Sequence, residues 1–151
     1  MTNEILVAVD GSKQSIKIVD AACEIAKGLS TGILLVSVVH LRDEEPEGVK
    51  EYEKTEQYPD AYADYLKGIS EKLSGNLSTY VKSKGISVRA YTPEGNPAAE
   101  ILNIVELEEP KMIVLGVKGL HGIARFRSLG SVARNVIENS AVPVLCVPSK
   151  S

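Results

Sequence analysis

ILVAVDGS, at residues 5–12, is a short apolar run that stops at an acid, a glycine and a serine. A run without polar alternation and rich in β-branched residues is typical of a strand that is buried on both faces. The stretch ILLVSVV at residues 33–39 has the same character, and apolar residues at helical spacing lie between the two runs. A strand, a helix and a second strand in this order predict parallel pairing through a right-handed crossover.

The rest of the chain continues the same alternation of strands and helices. Further strands are predicted over residues 86–91, 112–115 and 142–147, and further helices over residues 61–85, from residue 97 and over residues 131–139. Asp60 is the predicted N-cap of the long helix, and the pair Asn96-Pro97 opens the next one. This order predicts a single doubly wound α/β domain over residues 1–151, with a five-stranded parallel sheet and helices on both faces.

Composition and charge exclude several classes of protein. Hydrophobic residues make up 44% of the 151 residues and charged residues 25%, which suits one globular domain with a sizeable core. The net charge of −3 argues against a protein that binds nucleic acid over its whole surface. The apolar runs are too short to span a membrane, and the start MTNEILVAVD lacks the basic region of a secretory signal. Cys23 and Cys146 fit no metal-binding spacing, so we expect reduced thiols and a cytoplasmic location.

Residues 42–60 are more acidic than the rest of the chain. They contain eight acidic and three basic residues, for a net charge of −5. One interpretation is a solvated connection between the second strand and the long helix. The other is a lid or a partner-contacting loop, because connections longer than about 12–15 residues without secondary structure are uncommon in compact domains.

The loop after the fourth strand is the strongest candidate for a binding site. In an open parallel sheet, ligands bind beyond the carboxyl ends of the strands, where the winding direction reverses. Residues 116–131 read GVKGLHGIARFRSLGS, with glycines at positions 116, 119, 122 and 130 and Ser131 at the predicted start of a helix. Glycines allow a ligand to approach the backbone closely, and the N–H groups at a helix start bind phosphate oxygens.

The charge of this region supports an anion site. No acidic residue occurs between Glu109 and Glu138, whereas five basic residues do: Lys111, Lys118, Arg125, Arg127 and Arg134. Arg125 and Arg127 are either a phosphate clamp or exposed charges on a solvated loop. An ordinary glycine-rich turn remains an alternative for the whole segment.

Several better-known phosphate-binding motifs are absent from the sequence. It contains no Gly-x-x-x-x-Gly-Lys-Ser/Thr, which argues against a Walker-type NTPase. The turn after the first strand lacks Gly-x-Gly-x-x-Gly, which argues against a dinucleotide-binding domain. Asp10 has no acidic neighbour within five residues, so a phospho-acceptor receiver domain is disfavoured as well.

Four stretches of the chain resemble universal stress proteins: VAVDGS at residues 7–12, EGNPAAEI at 94–101, VLGVKG at 114–119 and LGSVARNVIENSAVPVLCV at 129–147. The resemblance covers nearly the whole chain and is strongest toward the carboxyl terminus. The nucleotide-binding branch of that family carries Gly-x-x-Gly, nine residues and then Gly-Ser or Gly-Thr. Here Gly116 and Gly119 match the first part and Gly130-Ser131 the last, with ten residues between Gly119 and Gly130.

The resemblance implies a Rossmann-like fold of the adenine nucleotide alpha hydrolase type. It also implies an adenine nucleotide as ligand, ATP or else AMP or ADP, with Mg²⁺ beside the phosphates. The residues implied for the adenine and ribose end are Ala8, Val9, Asp10 and Val38, and those for the ribose and phosphates are Gly116, Gly119, Gly130, Ser131 and Val132. The chemistry of two residues agrees, because Asp10 can accept a hydrogen bond from a ribose hydroxyl and Ser131 offers a hydroxyl at a helix start.

The function that the resemblance implies is a cytoplasmic, ATP-responsive regulatory module of the stress response, acting on regulatory protein partners that the sequence does not name. Three alternatives remain open: a slow ATPase or phosphotransferase on the same site, an interaction protein that binds no nucleotide, and a flavin-binding protein. Phosphoryl transfer needs a metal-binding carboxylate and a positioned base, and the glycine-rich loop contains no acid. The altered spacing favours the nucleotide-free alternative, and no aromatic residue is placed to stack on a flavin ring.

The last strand predicts the mode of assembly. Residues 141–147, AVPVLCV, are apolar on both faces, and the winding order places them at a sheet edge. An exposed apolar edge strand invites pairing, and a two-fold dimer covers it. Universal stress proteins commonly pair in this way, so the resemblance also implies a homodimer through this strand.

Overall fold

A computed structural model describes residues 2–40, 58–117 and 129–149 of the chain. Within them lie five strands: β1 (Glu4–Ala8), β2 (Gly32–Val36), β3 (Val88–Tyr91), β4 (Ile113–Gly116) and β5 (Val144–Val147). The helices that alternate with them are α1 (Ser15–Leu29), α2 (Tyr58–Ser83), α3 (Pro97–Glu108) and α4 (Ser131–Asn139). The doubly wound α/β architecture predicted from the sequence is confirmed.

All neighbouring strands pair in parallel, in the order β3-β2-β1-β4-β5. β1 is the central strand, and its residues Ile5, Leu6 and Val7 are fully buried, as the unbroken apolar run predicts. The chain winds outward from β1 through β2 to β3 and then crosses to the other side of β1 with β4 and β5. β5 is therefore an edge strand, in agreement with the prediction.

Two apolar layers hold the helices against the sheet. α1 and α2 pack on one face, where Val19 and Leu77 belong to the same buried cluster. α3 and α4 cover the other face, where Leu6, Ile101 and Val136 share a second cluster. Because successive side chains of a strand point to opposite faces, the apolar runs in β1 and β2 fill both layers at once.

α2 is the longest of these helices, with 26 residues. Its second half packs on the sheet through Leu77 and Val81, which are 7% and 0% exposed. Its first half has more exposed apolar side chains, since Tyr65 and Ile69 are 64% and 49% exposed. In the part of the chain that the structure describes, no helix is long and apolar enough to cross a lipid bilayer.

The start of α2 is the clearest difference from the predicted boundaries. The helix begins at Tyr58 rather than at residue 61, so Asp60 lies inside the first turn instead of capping the helix. Pro59 accounts for the earlier start, because its fixed φ suits a first turn and its missing N–H would have no intrahelical partner there. Of the acidic segment 42–60, the last three residues thus belong to α2, and residues 42–57 lie outside the described residues.

Candidate functional site

The winding direction of the sheet reverses between β1 and β4. The carboxyl ends of these two strands therefore form the crevice where an open α/β sheet binds its ligands. We call this end of the sheet the carboxyl edge and the opposite end the amino edge. The turn after β1 and the start of α4 both lie at the carboxyl edge.

The turn after β1 presents Asp10 at the crevice. Its Oδ1 accepts a hydrogen bond from the backbone N–H of Ser12 at 2.9 Å, and the Ser12 carbonyl accepts one from the N–H of Ser15 at 3.1 Å. Gly11 lies between them with a φ of 83°, in the left-handed region that favours glycine. These bonds hold an exposed carboxylate at the end of β1, where it can accept a hydrogen bond from a ligand hydroxyl.

Backbone hydrogen bonds join the end of β4 to the start of α4. The N–H of Val117 donates to the carbonyl of Val147 at 3.0 Å, and the N–H of Gly130 donates to the carbonyl of Val117 at 2.8 Å. Gly116, the last residue of β4, and Ser131, the first residue of α4, are thereby brought close together. The N-cap of α4 is Gly130, which has no side chain to bond the first N–H groups of the helix, and N–H groups at a helix start are donors that suit an anion.

Three of the predicted contact residues lie on one face of the sheet near this edge. Ala8, Val38 and Val132 are half-buried, and all three pack against the apolar cluster beneath α3 and α4. Ala8 ends β1, Val38 follows β2 and Val132 is the second residue of α4. Together they form a partly exposed apolar surface, on which a flat aromatic ring of a ligand could pack.

Val9 lies on the opposite face of the sheet. Its side chain is 5% exposed and belongs to the cluster beneath α1 and α2. Its N–H donates to the carbonyl of Val36 at 3.0 Å, which continues the pairing of β1 with β2. The side chain of Val9 is thus buried in the core and its N–H is bonded to Val36, so that the residue before Asp10 is fixed in the sheet.

The segment that contains Pro93 and Gly95 lies beside Val38 at the carboxyl edge, and no sequence motif had placed it at the site. The N–H of Val39 donates to the carbonyl of Pro93 at 2.7 Å, and the N–H of Gly95 donates to the carbonyl of Val39 at 3.0 Å. Gly95 has a φ of 144°, and a Cβ at this position would lie 2.8 Å from Oε1 of Glu100. The glycine directly before a helix cap was the signal in the sequence for this close approach.

Part of the predicted site lies outside the described residues. Gly119 belongs to that part, as do the basic residues Lys118, Arg125 and Arg127. The ten-residue spacing between Gly119 and Gly130 is therefore known from the sequence alone. The structure describes the two ends of this loop, and the hydrogen bond from Gly130 to Val117 holds them together.

The amino edge carries an ion-pair network instead of a binding loop. Nε and Nη2 of Arg89 donate to Oε2 and Oε1 of Glu4 at 2.9 and 2.6 Å, and Nη2 also donates to Oε2 of Glu108 at 3.0 Å. Hydrogen bonds to Glu4 and then to Glu108 raise the pKa of Arg89, and the bond from Arg89 lowers the pKa of Glu108. The guanidinium of Arg89 is thus paired with the carboxylates of Glu4 and Glu108 within the protein.

An open pocket of about 860 Å³ lies beside this network, and Lys27, Thr31 and Ser87 are among the residues that line it. It is at the far end of the sheet from Asp10 and α4. Its Arg89 and Glu108 already pair with each other at 3.0 Å. The volume of this pocket is therefore no evidence for a ligand site, whereas open α/β sheets generally bind ligands at the reversal point.

Both cysteines are free thiols. Burial raises the pKa of Cys23 in α1 and of Cys146 in β5 above the ordinary value. A raised pKa keeps a thiol protonated at neutral pH, and the protonated form is a poor nucleophile. Neither residue thus adds a reactive group to the crevice.

The sheet order defines the class of the protein: a doubly wound α/β protein with a crevice at the point where the winding reverses. A sequence model of the Universal stress protein family matches residues 1–148. The chain is also 30% identical over 151 residues to Universal stress protein YxiE of Bacillus subtilis (strain 168), covering 97% of this chain and 99% of that protein. The chain belongs to the universal stress protein family.

Solved structures of similar proteins have the same fold. Universal stress protein UspA from Lactobacillus plantarum matches with a TM-score of 0.80 and 18% identity, covering 97% of this chain and 99% of that one. A universal stress protein in complex with cAMP matches with a TM-score of 0.67 and 21% identity, covering 98% of each chain. The universal stress protein from Archaeoglobus fulgidus in complex with dAMP gives 0.61 and 17%, covering 97% of each chain.

Proposed function

We propose that this protein is a regulatory module that binds an adenine nucleotide at the carboxyl edge of its sheet, with ATP as the expected ligand and AMP or ADP as related ones. The observation that carries the proposal is the hydrogen bond from Gly130 to Val117, since it sets the start of α4, with glycine as its N-cap, beside the end of β4. Helix starts of this kind bind phosphate oxygens. The structures with cAMP and dAMP support the adenine part of the proposal.

In this proposal the nucleotide lies across the crevice from β2 to α4. The adenine ring covers the apolar surface that includes Ala8 and Val38, and the Asp10 carboxylate accepts a hydrogen bond from a ribose hydroxyl. The phosphates lie at Gly130 and Ser131, and Mg²⁺, where present, is bound to the phosphates. The absence of a side chain at position 130 leaves room for the phosphates beside the backbone.

Two measurements test the proposal. Nucleotide released by denaturing freshly purified protein is identified by mass spectrometry, and thermal unfolding is followed with and without ATP or AMP. A ligand that binds only the folded state stabilises it by about 2.7 kcal/mol at 100 times its Kd. We expect an adenine nucleotide in the extract or a higher Tm on its addition. An empty extract together with an unchanged Tm at millimolar ATP and AMP contradicts the proposal.

The nucleotide acts in this proposal as a signal for partner binding rather than as a substrate. At the ends of β1 and β4, the described residues supply one carboxylate, Asp10. Phosphoryl transfer needs a group that holds a metal ion and a further group that positions the nucleophile. The slow ATPase therefore stays the second candidate, and the cytoplasmic location stays a prediction from the sequence.

We further propose a two-fold homodimer through β5. This strand lies at the edge of the sheet, where Leu145 is 36% exposed, and Ile137 of the adjacent α4 is 42% exposed. An edge strand with exposed apolar side chains is a template for pairing, and a two-fold axis lets the same surface serve both subunits. Light scattering at micromolar concentration tests this, and a monomer under those conditions refutes it.

A further inference from the structure

We infer that Gln14 is a positioning residue of the proposed nucleotide site, because it ties the turn of Asp10 to the residues that leave β5. The inference rests on the proposed function and concerns how the two halves of that site are held in place. We call residues 147–149 the β5 tail. The observation that carries the inference is that the β5 tail is hydrogen-bonded to both halves of the site.

The first half of the site is joined to the β5 tail through the side chain of Gln14. Oδ1 of Asp10 accepts the N–H of Ser12 at 2.9 Å, and the hydroxyl of Ser12 accepts the N–H of Gln14 at 3.2 Å. Nε2 of Gln14 then donates to the carbonyl of Ser149 at 3.0 Å, across 135 positions of the chain. Consecutive hydrogen bonds thus connect the carboxylate proposed for the ribose with the β5 tail.

The second half of the site is joined to the β5 tail through backbone groups. The carbonyl of Val147 accepts the N–H of Val117 at 3.0 Å, and the carbonyl of Val117 accepts the N–H of Gly130 at 2.8 Å. Val147 is 6% exposed and belongs to the cluster beneath α1 and α2, so it is anchored in a close-packed core. The β5 tail therefore holds the start of α4 by backbone groups and the turn of Asp10 by the side chain of Gln14.

The sheet ladder alone does not align the two halves. The paired residues of β1 and β4 end at Val7 and Val114, and both Asp10 and Gly130 lie beyond them. Among the described residues, Oε1 of Gln14 is buried and has no hydrogen-bond partner. A buried acceptor without a partner costs free energy. Removing this amide should therefore change the stability of the fold little, while it breaks the link to the β5 tail.

Calorimetric titration of the full chain with ATP and AMP tests the inference. Gln14→Met keeps the length of the side chain but has no N–H to donate. We expect it to raise the Kd of both nucleotides by roughly two- to tenfold, the range that one hydrogen bond accounts for, with little change of Tm in the free protein. Ile16→Ala is the control, because Ile16 is 44% exposed in the first turn of the same helix, and its Kd values should match those of the wild type.

An NMR signature distinguishes positioning from a general effect on the fold. In the ¹⁵N-labelled wild type, ATP should shift the amide resonances of both Ser12 and Ser149, because Gln14 links the two residues. In Gln14→Met the shift at Ser12 should remain and the shift at Ser149 should be lost. Gln14→Glu is a second variant with the same expected loss, since its ionised carboxylate has no proton to donate to the Ser149 carbonyl. Its fold should be retained, because an acid is favoured at a helix start.

The outcomes separate the inference from the proposed function. A shift at Ser149 that persists in either Gln14 variant overturns the inference, as does a wild type in which Ser12 responds to ATP and Ser149 does not. An unchanged Kd in Gln14→Met overturns it as well, and in each of these cases the proposed function stands. If neither nucleotide binds the wild type and no amide resonance shifts, the proposed function itself is overturned.

Discussion

Arg89 of β3 reaches across the intervening strand β2 and forms two hydrogen bonds with Glu4 of β1, at 2.9 and 2.6 Å. The residue of β2 beside Glu4 is Gly32, which has no side chain to separate the two. The hydroxyl of Tyr91 and the carboxylate of Glu108 extend the network to α3, with 3.1 Å between their oxygens. One guanidinium thus ties two strands and a helix together at the amino edge, far from the proposed nucleotide.

Glu108→Gln should lower stability at neutral pH and have no effect in strong acid. The hydrogen bond from Arg89 lowers the pKa of Glu108 in the folded state. Such a group stabilises the fold above its unfolded pKa of about 4.3, and the contribution is lost as the pH falls through the lower folded value. Urea midpoints of wild type and variant should therefore differ at about pH 7 and converge at about pH 2.

Glu106→Gln is the matched control for this experiment, since it neutralises an exposed acid on the same helix. Its urea midpoint should follow that of the wild type at both pH values, within the small effects usual for surface substitutions. If the difference caused by Glu108→Gln were the same at every pH, the ionised pair with Arg89 would not be its source.

Gly130→Val should abolish the effect of adenine nucleotides on Tm while leaving the fold intact. The backbone of Gly130 has a φ of −65° and a ψ of 161°, extended values that any residue adopts, and its N–H stays free to bond Val117. A branched side chain would instead occupy the space that the phosphates need. Thermal unfolding with ATP and AMP measures the loss, and circular dichroism checks the fold.

Gly28→Val serves as its control, because a Cβ at position 28 meets nothing within 4 Å and the residue lies near the far end of α1. The control should retain the full increase in Tm with nucleotide. An equal increase in the Gly130→Val variant would show that the phosphates do not lie at the start of α4.

The sequence allowed the elements and their order to be predicted because the helices have apolar residues at helical spacing and the central strands are short unbroken apolar runs. The unbroken apolar run of β1 indicated a strand buried on both faces, and the pair Asn96-Pro97 located the start of α3. Relationships between distant residues were not predictable in this way. The face on which Val9 lies and the contact of Arg89 with Glu4 could not be read from the hydrophobic pattern, because the central strands are apolar on both faces and such a pattern does not fix the register.

Gly75→Ala and Gly85→Ala should change stability in opposite directions. A Cβ at either position meets nothing within 4 Å, so only the backbone conformation distinguishes the two sites. Gly75 lies inside α2, where alanine is favoured over glycine by about 1 kcal/mol. Gly85 has a φ of 79°, where an L side chain costs roughly 1–2 kcal/mol. Chemical denaturation of both variants measures the difference, and a loss of stability in Gly75→Ala would contradict the argument.

ATP turnover by the purified protein should be far slower than the rates of about 1–10³ s⁻¹ that are typical of enzymes. The physical reason is that Asp10 alone brings a carboxylate to the described ends of β1 and β4. Phosphate release is measured on wild type and on an Asp10→Ala variant prepared in parallel, which reveals any contaminating ATPase. A rate within the enzymatic range that disappears in Asp10→Ala would favour the ATPase over the regulatory module.

Leu145→Glu should weaken the proposed dimer without unfolding the subunit. Leu145 is 36% exposed on the edge strand β5, so a glutamate there remains hydrated in the monomer but places a charge in the dimer interface. Val144 is less suited to this test, because it packs against the cluster beneath α3 and α4.

Leu107→Glu is the control, since Leu107 is 82% exposed on α3 and lies on no sheet edge. Sedimentation velocity should show a concentration-dependent dimer for wild type and for Leu107→Glu and a monomer for Leu145→Glu. A dimer that persists unchanged in Leu145→Glu would place the interface elsewhere on the surface.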